Sequence, residues 1–322
     1  MKRFFKYSLL SVEKMIGFFR KNRERNKSRL VVLCYHSVVS DDSPVNSRTS
    51  IAVSKSEFDK QIALLRKYWN PVSLVEIESA CSEKKSLPDY SVLVTFDDGF
   101  QNNFTLAAPI LKKYDVPAIT FLTTGLIDNN ELLWPQEVRE RITDGTTNKT
   151  RNGAQYNGEL AEKAVAECKK MSHEERTAYL VELRKSTTLN LEEPWKKELY
   201  EFMSWEEVRQ IRKFGVELGG HTVSHPILSS MSPEKIREEL RFCKEKIESE
   251  TGRECSSFAY PNGGRADFNE AAVEEAKQAG FRIAFNLYER RNPVMLNPMS
   301  IDRFCVTRDL SLLEFEKLLG QN

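Results

Sequence analysis

The sequence predicts an α/β protein built on a parallel sheet, and three observations carry that prediction. Short apolar, β-branched runs recur along the chain. Longer segments with apolar residues at helical spacing separate them, and helix start and stop residues stand at the junctions. The expected strands are 30–35, 91–96, 117–122, 215–219, 256–260, 281–286 and 303–306. The expected helices are 101–114, 204–214, 232–250 and 267–279. Ser204 and Ser232 occupy N-cap positions, Glu207 completes an S-x-x-E capping box, and Pro233 sits in a first turn. Asp267 is expected to cap the helix it opens, and Gly215 and Gly280 fall where helices stop. This alternation suits an open doubly wound sheet and a closed barrel equally.

A chain of 322 residues is long enough for one large α/β domain with an insertion, or for two small domains. Its 40% hydrophobic and 30% charged residues are those of an ordinary globular protein. A net charge of +1 argues against a general nucleic-acid binder. The six cysteines (34, 81, 168, 243, 255 and 305) show no paired spacing and read as free thiols of a reducing compartment.

Residues 1–28 read as a basic amphipathic segment ahead of a domain covering 29–322. Through Arg29 the chain carries ten Lys/Arg against two Glu. The apolar residues there are interrupted by charge, with neither a secretory core nor a span of the roughly 20 apolar residues a bilayer requires. A helix lying on an anionic membrane surface is the sharper expectation, and a packed or solvated helix the alternative. The expected location is cytoplasmic, or peripheral to the inner membrane.

Residues 125–203 read as an insertion over one edge of the site rather than a separate core. Within it His173 is expected on a helix surface near an N-cap. Trp134 and Trp205 are the aromatics weighed for stacking on sugar rings, with packing as the alternative and Trp134 the favoured stacker.

The chemistry is concentrated in two elements. Thr95-Phe96-Asp97-Asp98-Gly99 directly follows an apolar strand, and His221-Thr222-Val223-Ser224-His225 follows another. One Asp with both His supplies the three protein ligands of an open catalytic metal site. The other Asp is then free to take a proton from a water that the metal has acidified to a pKa of about 7.

With Phe258-Ala259-Tyr260-Pro261-Asn262-Gly263, these two elements resemble three motifs of the polysaccharide deacetylases, carbohydrate esterases with a NodB-type domain. The likeness extends from about residue 29 to 310 and includes Val31–Val38, Met203-Ser204-Trp205 and Leu296–Val306. Many members place a histidine in a late Leu-x-His motif, whereas this chain has none after His225. Leu33-Cys34-Tyr35-His36-Ser37-Val38 resembles instead the first-strand version found in poly-N-acetylglucosamine deacetylases, a circular permutation of the motif order.

That resemblance implies a distorted (β/α) barrel of about seven strands, with the site at their C-terminal ends. It implies Asp98, His221 and His225 as ligands of one divalent ion, most often Zn, with Co or Ni as alternatives. Asp97 would be the general base, His36 the general acid, and the Tyr260 amide an oxyanion donor. Arg303 would orient Asp97 by a charge-assisted hydrogen bond, with a surface salt bridge as the alternative. The implied reaction removes N-acetyl groups from an amino sugar in a surface polysaccharide or its lipid-linked precursor, releasing acetate. The rival readings are a non-catalytic glycan-binding module on the same fold, a hydrolase of O-acetyl or non-sugar amide substrates, and a 2-His-1-carboxylate iron oxygenase.

Overall fold

The computed structural model describes residues 17–44, 51–129, 131–145, 151–308 and 310–320. Its strands are β1 (Val31–Tyr35), β2 (Ser37–Val39), β3 (Ala52–Ser54), β4 (Asn70–Pro71), β5 (Ser91–Phe96), β6 (Ala118–Leu122), β7 (Val216–Gly220), β8 (Ser257–Ala259), β9 (Ile283–Phe285) and β10 (Phe304–Cys305). Its helices are α1 (Phe18–Arg25), α2 (Lys55–Tyr68), α3 (Leu74–Glu83), α4 (Ala108–Tyr114), α5 (Trp134–Gly145), α6 (Arg151–Lys170), α7 (His173–Ser186), α8 (Pro194–Tyr200), α9 (Trp205–Ile211), α10 (Pro233–Thr251), α11 (Glu270–Gln278) and α12 (Leu312–Gly320).

Seven strands form one parallel sheet in the order β10-β1-β5-β6-β7-β8-β9, with β4 added at the start of β5. The two ends meet at Ile301, three residues before β10. Its N–H donates to Ala284 O and its carbonyl accepts from Asn286 N, each at 2.9 Å. The sheet thus curls into the distorted barrel that the family resemblance implied. All seven expected strands are present with their ends shifted by no more than three residues.

Strand parity sorts the side chains. Val32, Leu93, Ile119, Phe121, Ala259, Ile283, Phe285 and Ile301 share one apolar cluster inside the curl. Val31, Leu33, Tyr35, Val92, Val94 and Phe96 join another that includes Phe58 and Ile62 of α2 and Ile236 and Leu240 of α10. A strand buried on both faces needs a continuous apolar run, which is why β5 reads Ser-Val-Leu-Val-Thr-Phe without alternation. Each fully buried Leu or Phe contributes roughly 1.5–3 kcal/mol to this core. Continuing the inward parity of Val32 leads to Cys34 and His36, and that of Leu93 leads to Thr95 and Asp97. The polar site is therefore the next layer above the apolar plug.

Gly219 marks where that plug is tightest: a Cβ added there would lie 2.4 Å from Cδ1 of Phe121. We expect Gly219→Ala to cost about 1–3 kcal/mol through overpacking, two residues before His221. Urea unfolding would read this as a lowered midpoint at unchanged m-value, and an unchanged midpoint would refute it.

Helix signals behave as expected at Ser204, which forms a full capping box with Glu207, and at Ser232, whose hydroxyl accepts from Lys235 N–H. His173 is the first residue of α7, capped by Ser172. Asp267 does not cap α11: its carboxylate accepts from Gly264 N–H at 2.8 Å, and Asn269 holds the cap by accepting from Ala272 N–H. The Pro-Asn-Gly-Gly turn draws the Asp side chain back on itself, so the next polar residue takes the helix end.

The segment 125–203 packs through two apolar clusters, each shared with residues outside it. One joins Leu132, Leu199 and Tyr200 to Val39 and Ala52 of β2 and β3, a two-stranded sheet that the sequence pattern did not show. The other joins Trp134, Val138, Val165 and Cys168 to Ile227, two residues beyond His225. Residues 1–16 of the basic N-terminal segment lie outside the described residues. After α1, Lys27 pairs with Asp89 at 3.0 Å. The six cysteines are all unpaired thiols.

Candidate metal centre

The barrel delivers each chemical group from a strand's C-terminal end. Asp97 and Asp98 follow β5, His36 follows β1, and His221 follows β7. Asp98 is in the left-handed region (φ 76°), which turns it away from Asp97 so that the adjacent carboxylates serve different neighbours. Gly99 (φ 87°) continues that turn, and a Cβ there would meet Leu122 Cδ2 at 3.0 Å.

Asp98, His221 and His225 bring three donor atoms within 4.8 Å of one another. Both histidine Nε2 atoms stand 3.5 Å from Asp98 Oδ1. Ligands about 2.0–2.1 Å from a tetrahedral ion are separated by about 3.3 Å, so the spacing fits a divalent cation. Asp98 Oδ1 is buried without a hydrogen-bond partner. Burial, and next the Asp97 charge, push its carboxyl well above the ordinary range. A buried carboxylate oxygen with no donor is the complement of a cation, and these residues fit the metal that the motifs imply.

The histidines are pre-set for the task. His221 Nδ1 lies 2.7 Å from the Ala259 carbonyl, which selects the tautomer carrying its proton on Nδ1 and leaves Nε2 as a lone pair facing Asp98. His225 closes a compact loop, not a helical turn. Its N–H donates to Thr222 Oγ1, and its carbonyl accepts from Trp134 Nε1 at 3.1 Å. The N–H groups of Val223 and Ser224 both donate to Glu239 of α10, at 2.8 and 2.9 Å. Thr222 (φ 69°) and His225 (φ 56°) are both left-handed, at a cost of order 1–3 kcal/mol each that this bracing sustains. Burial lowers both imidazoles, His225 with a further push from His221, so both rest neutral at neutral pH, the form in which a ring nitrogen can bind a cation.

Asp97 faces a different partner. Arg303, fully buried, grips it bidentately, Nη1 to Oδ1 at 2.7 Å and Nη2 to Oδ2 at 2.8 Å. Arg303 also donates to Thr95 Oγ1 and to the Asn286 carbonyl, which fixes the guanidinium plane. Burial alone would raise Asp97, but Arg303 and then His221 more than reverse it and hold the carboxyl well below the usual range. The surface-bridge alternative for Arg303 is thereby excluded. Cys34 Sγ donates to Asp97 Oδ2 at 3.3 Å.

His36, the Cys34 thiol and Asp97 also lie within 4.8 Å of one another. The His36 carbonyl accepts from Asn103 Nδ2 at 2.7 Å. Asn103 opens a single π-turn, Asn103–Ala107, just after the Asp-Asp-Gly motif. Burial lowers His36 to about 4 despite the pull of Asp97, so the imidazole rests neutral.

Two expected roles change. The Tyr260 N–H donates to the Phe285 carbonyl at 3.0 Å, its hydroxyl donates to Met299 O, and its ring stacks on Phe268. Its amide is committed to the sheet and is not presented to a substrate. Pro261 has no N–H, so the next backbone donor on the loop is Asn262, in the left-handed region at φ 57°. Trp134 is 7% exposed and Trp205 6%, so both are packing residues; Trp134 serves the site through the His225 carbonyl. Cys34, Asn103, Glu239 and Asn286 were not singled out from sequence. Parity with His36 was the available signal for Cys34, while Glu239 and Asn286 reach the site from remote elements without a local pattern.

Comparison with known proteins agrees with this arrangement. Residues 84–284 match the family described as "Polysaccharide deacetylase", a stretch that holds both aspartates and both metal-centre histidines. Over 90 residues the chain is 36% identical to the poly-beta-1,6-N-acetyl-D-glucosamine N-deacetylase of Escherichia coli (strain K12), covering 28% of this chain and 13% of that one. The matched stretches span 13% to 40% of the length of such curated relatives. Among solved structures, the deacetylase PplD of Streptococcus pyogenes superposes with a TM-score of 0.62 at 17% identity, over 91% of this chain and 99% of that chain. IcaB from Ammonifex degensii does so at 0.61 and 21%, over 91% and 98%; at these identities the likeness is one of fold. Fold, motif order and family match together place this chain in the polysaccharide deacetylase family.

Proposed function

We propose that this protein removes N-acetyl groups from amino sugars of a polysaccharide, or of its lipid-linked precursor, and releases acetate. The observation that carries the reading is the division of labour at Asp97-Asp98. One carboxylate lacks a donor and faces two histidines, and the other is clamped by Arg303 beside them. A binding module has no need of a buried, orientation-locked base next to a metal centre. The name of the Escherichia coli relative supports an N-acetylglucosamine polymer as substrate.

A divalent ion on Asp98, His221 and His225 would polarise the acetyl carbonyl and make a water nucleophilic at neutral pH. Asp97 Oδ2, 4.0 Å from His221 Nε2, accepts the proton of the attacking water. Its low pKa makes it a weak base, but Arg303 guarantees the ionised form that burial would otherwise suppress. The same proton suffices to discharge the amine. His36 rests neutral within 4.8 Å of Asp97, so it relays that proton to the departing nitrogen instead of bringing its own. We assign the oxyanion-donor role, which the resemblance gave to Tyr260, to the next backbone N–H on that loop, that of Asn262.

The test is acetate release from N-acetylglucosamine oligomers by protein whose metal content is measured by mass spectrometry, with His225→Ala prepared identically. We expect one ion per chain and turnover in wild type, and loss of both in the variant. A metal-loaded wild type that binds the oligomer without releasing acetate would favour the binding module. Release from O-acetylated or non-sugar substrates alone would redirect the substrate class.

Residues 1–28 are proposed to hold the enzyme at an anionic membrane surface, on the strength of their basic charge and interspersed aromatics. Deleting residues 1–16, which leaves the packed α1 and Lys27 in place, is expected to move the protein from the membrane to the soluble fraction without changing its rate on soluble oligomers. Unchanged partitioning would end that proposal.

A further inference from the structure

We propose that Cys34, His36 and Asp97 form a second metal site, selective for thiophilic divalent cations such as Zn²⁺ or Cd²⁺, whose occupancy inhibits the enzyme. The proposal rests on the reading that Asp98, His221 and His225 hold the first ion, and it shares no ligand with that centre.

The three donors come from the ends of two adjacent strands and lie within 4.8 Å of one another. Cys34 and Thr95 are direct partners in the β1–β5 register, so the thiol and Asp97, two residues beyond Thr95, share the inward face. The thiol touches Asp97 Oδ2 at 3.3 Å. His36 Nδ1 is buried with no hydrogen-bond partner, while the residue as a whole remains partly open to solvent, which supplies a path of entry. An imidazole nitrogen together with a thiol and a carboxylate is a donor set for Zn²⁺ or Cd²⁺, not for Mg²⁺ or Ca²⁺, which take oxygen ligands. On binding, the Cys34 thiol gives its proton to solvent and the thiolate bonds the metal.

Electrostatics set the order of filling. Arg303 sits on Asp97 at 2.7–2.8 Å and opposes a cation there, whereas Asp98 has no such partner. Asp97 Oδ2 is 4.0 Å from His221 Nε2, so a first ion repels the second as well. The second site therefore fills only in metal excess. When it does, it captures the carboxylate and the imidazole that move the proton in the proposed reaction.

The experiment starts from protein carrying one Zn²⁺ per chain and titrates it with Co²⁺. Mass spectrometry follows both metals while absorbance follows the near-ultraviolet thiolate-to-cobalt charge-transfer band. We expect one Co²⁺ to bind per chain with Zn²⁺ retained, the band to grow in proportion, and acetate release to fall in parallel. Cys34→Ala should retain its Zn²⁺, which shows an intact fold, yet lose both the band and the inhibition. Co²⁺ binding without the band, no Co²⁺ uptake beyond the retained Zn²⁺, or a band that persists in Cys34→Ala would each overturn the second site. Failure to load even the first Zn²⁺ would instead refute the primary metal centre.

Discussion

Asp97→Asn is expected to lower acetate release by about 10²–10⁴-fold while leaving one metal ion per chain, because general-base catalysis has that worth and Asp97 is not a proposed ligand. The substitution preserves shape but removes the charge that Arg303 reads. The Asn carbonyl can accept from one guanidinium nitrogen, whereas its NH₂ group faces the other as donor against donor. Breaking a buried pair from one side costs about 3–5 kcal/mol. The protein should therefore unfold at lower denaturant, and the rate must be measured well below that midpoint. Turnover within a few-fold of wild type, in folded and metal-loaded protein, would remove Asp97 from the mechanism. Loss of the metal would show instead that both carboxylates are ligands.

Arg303→Met should be equally damaging by a route that pH reveals. Arg303 is what keeps Asp97 ionised: burial pushes the carboxyl up, and the guanidinium, with help from His221, brings it far below its ordinary value. A group whose folded pKa is depressed stabilises the fold above its unfolded pKa of about 3.9, and that contribution disappears as pH falls through the folded value. Without Arg303 the sign reverses. Asp97 takes up a proton at higher pH than the free carboxyl, and the acid limb of kcat/KM moves upward. At neutral pH we expect destabilisation of about 3–5 kcal/mol from the unpaired buried carboxylate. Arg303→Lys should restore charge without the two parallel bonds and recover part of the stability. An acid limb that stays in place in Arg303→Met would mean that Arg303 is only a structural brace.

These predictions turn on a contact between residues 206 positions apart, which shows what the amino-acid order did and did not disclose. The succession of the Asp-Asp, His-x-x-x-His and Tyr-Pro motifs was legible through its resemblance to a family's motif order. Seven strands and the Ser204 and Ser232 caps were legible because periodicity and capping are short-range effects written within about four residues. The two-residue parity that carries Val32 to His36 and Leu93 to Asp97 belongs to the same class. Only the closed sheet decided which groups meet. Register beside β1 brings Arg303 to Asp97, while pairing with β9 consumes the Tyr260 amide that the motif had marked for chemistry. Packing of segment 125–203 buried Trp134 and gave its indole N–H to the His225 carbonyl in place of a sugar. The strands β2 and β3 have no sequence signature because three-residue pairs carry too few side chains to show a period. What a residue can do chemically was set by its type and local pattern; which partner satisfied it was set by the sheet register and by elements packed from far along the chain.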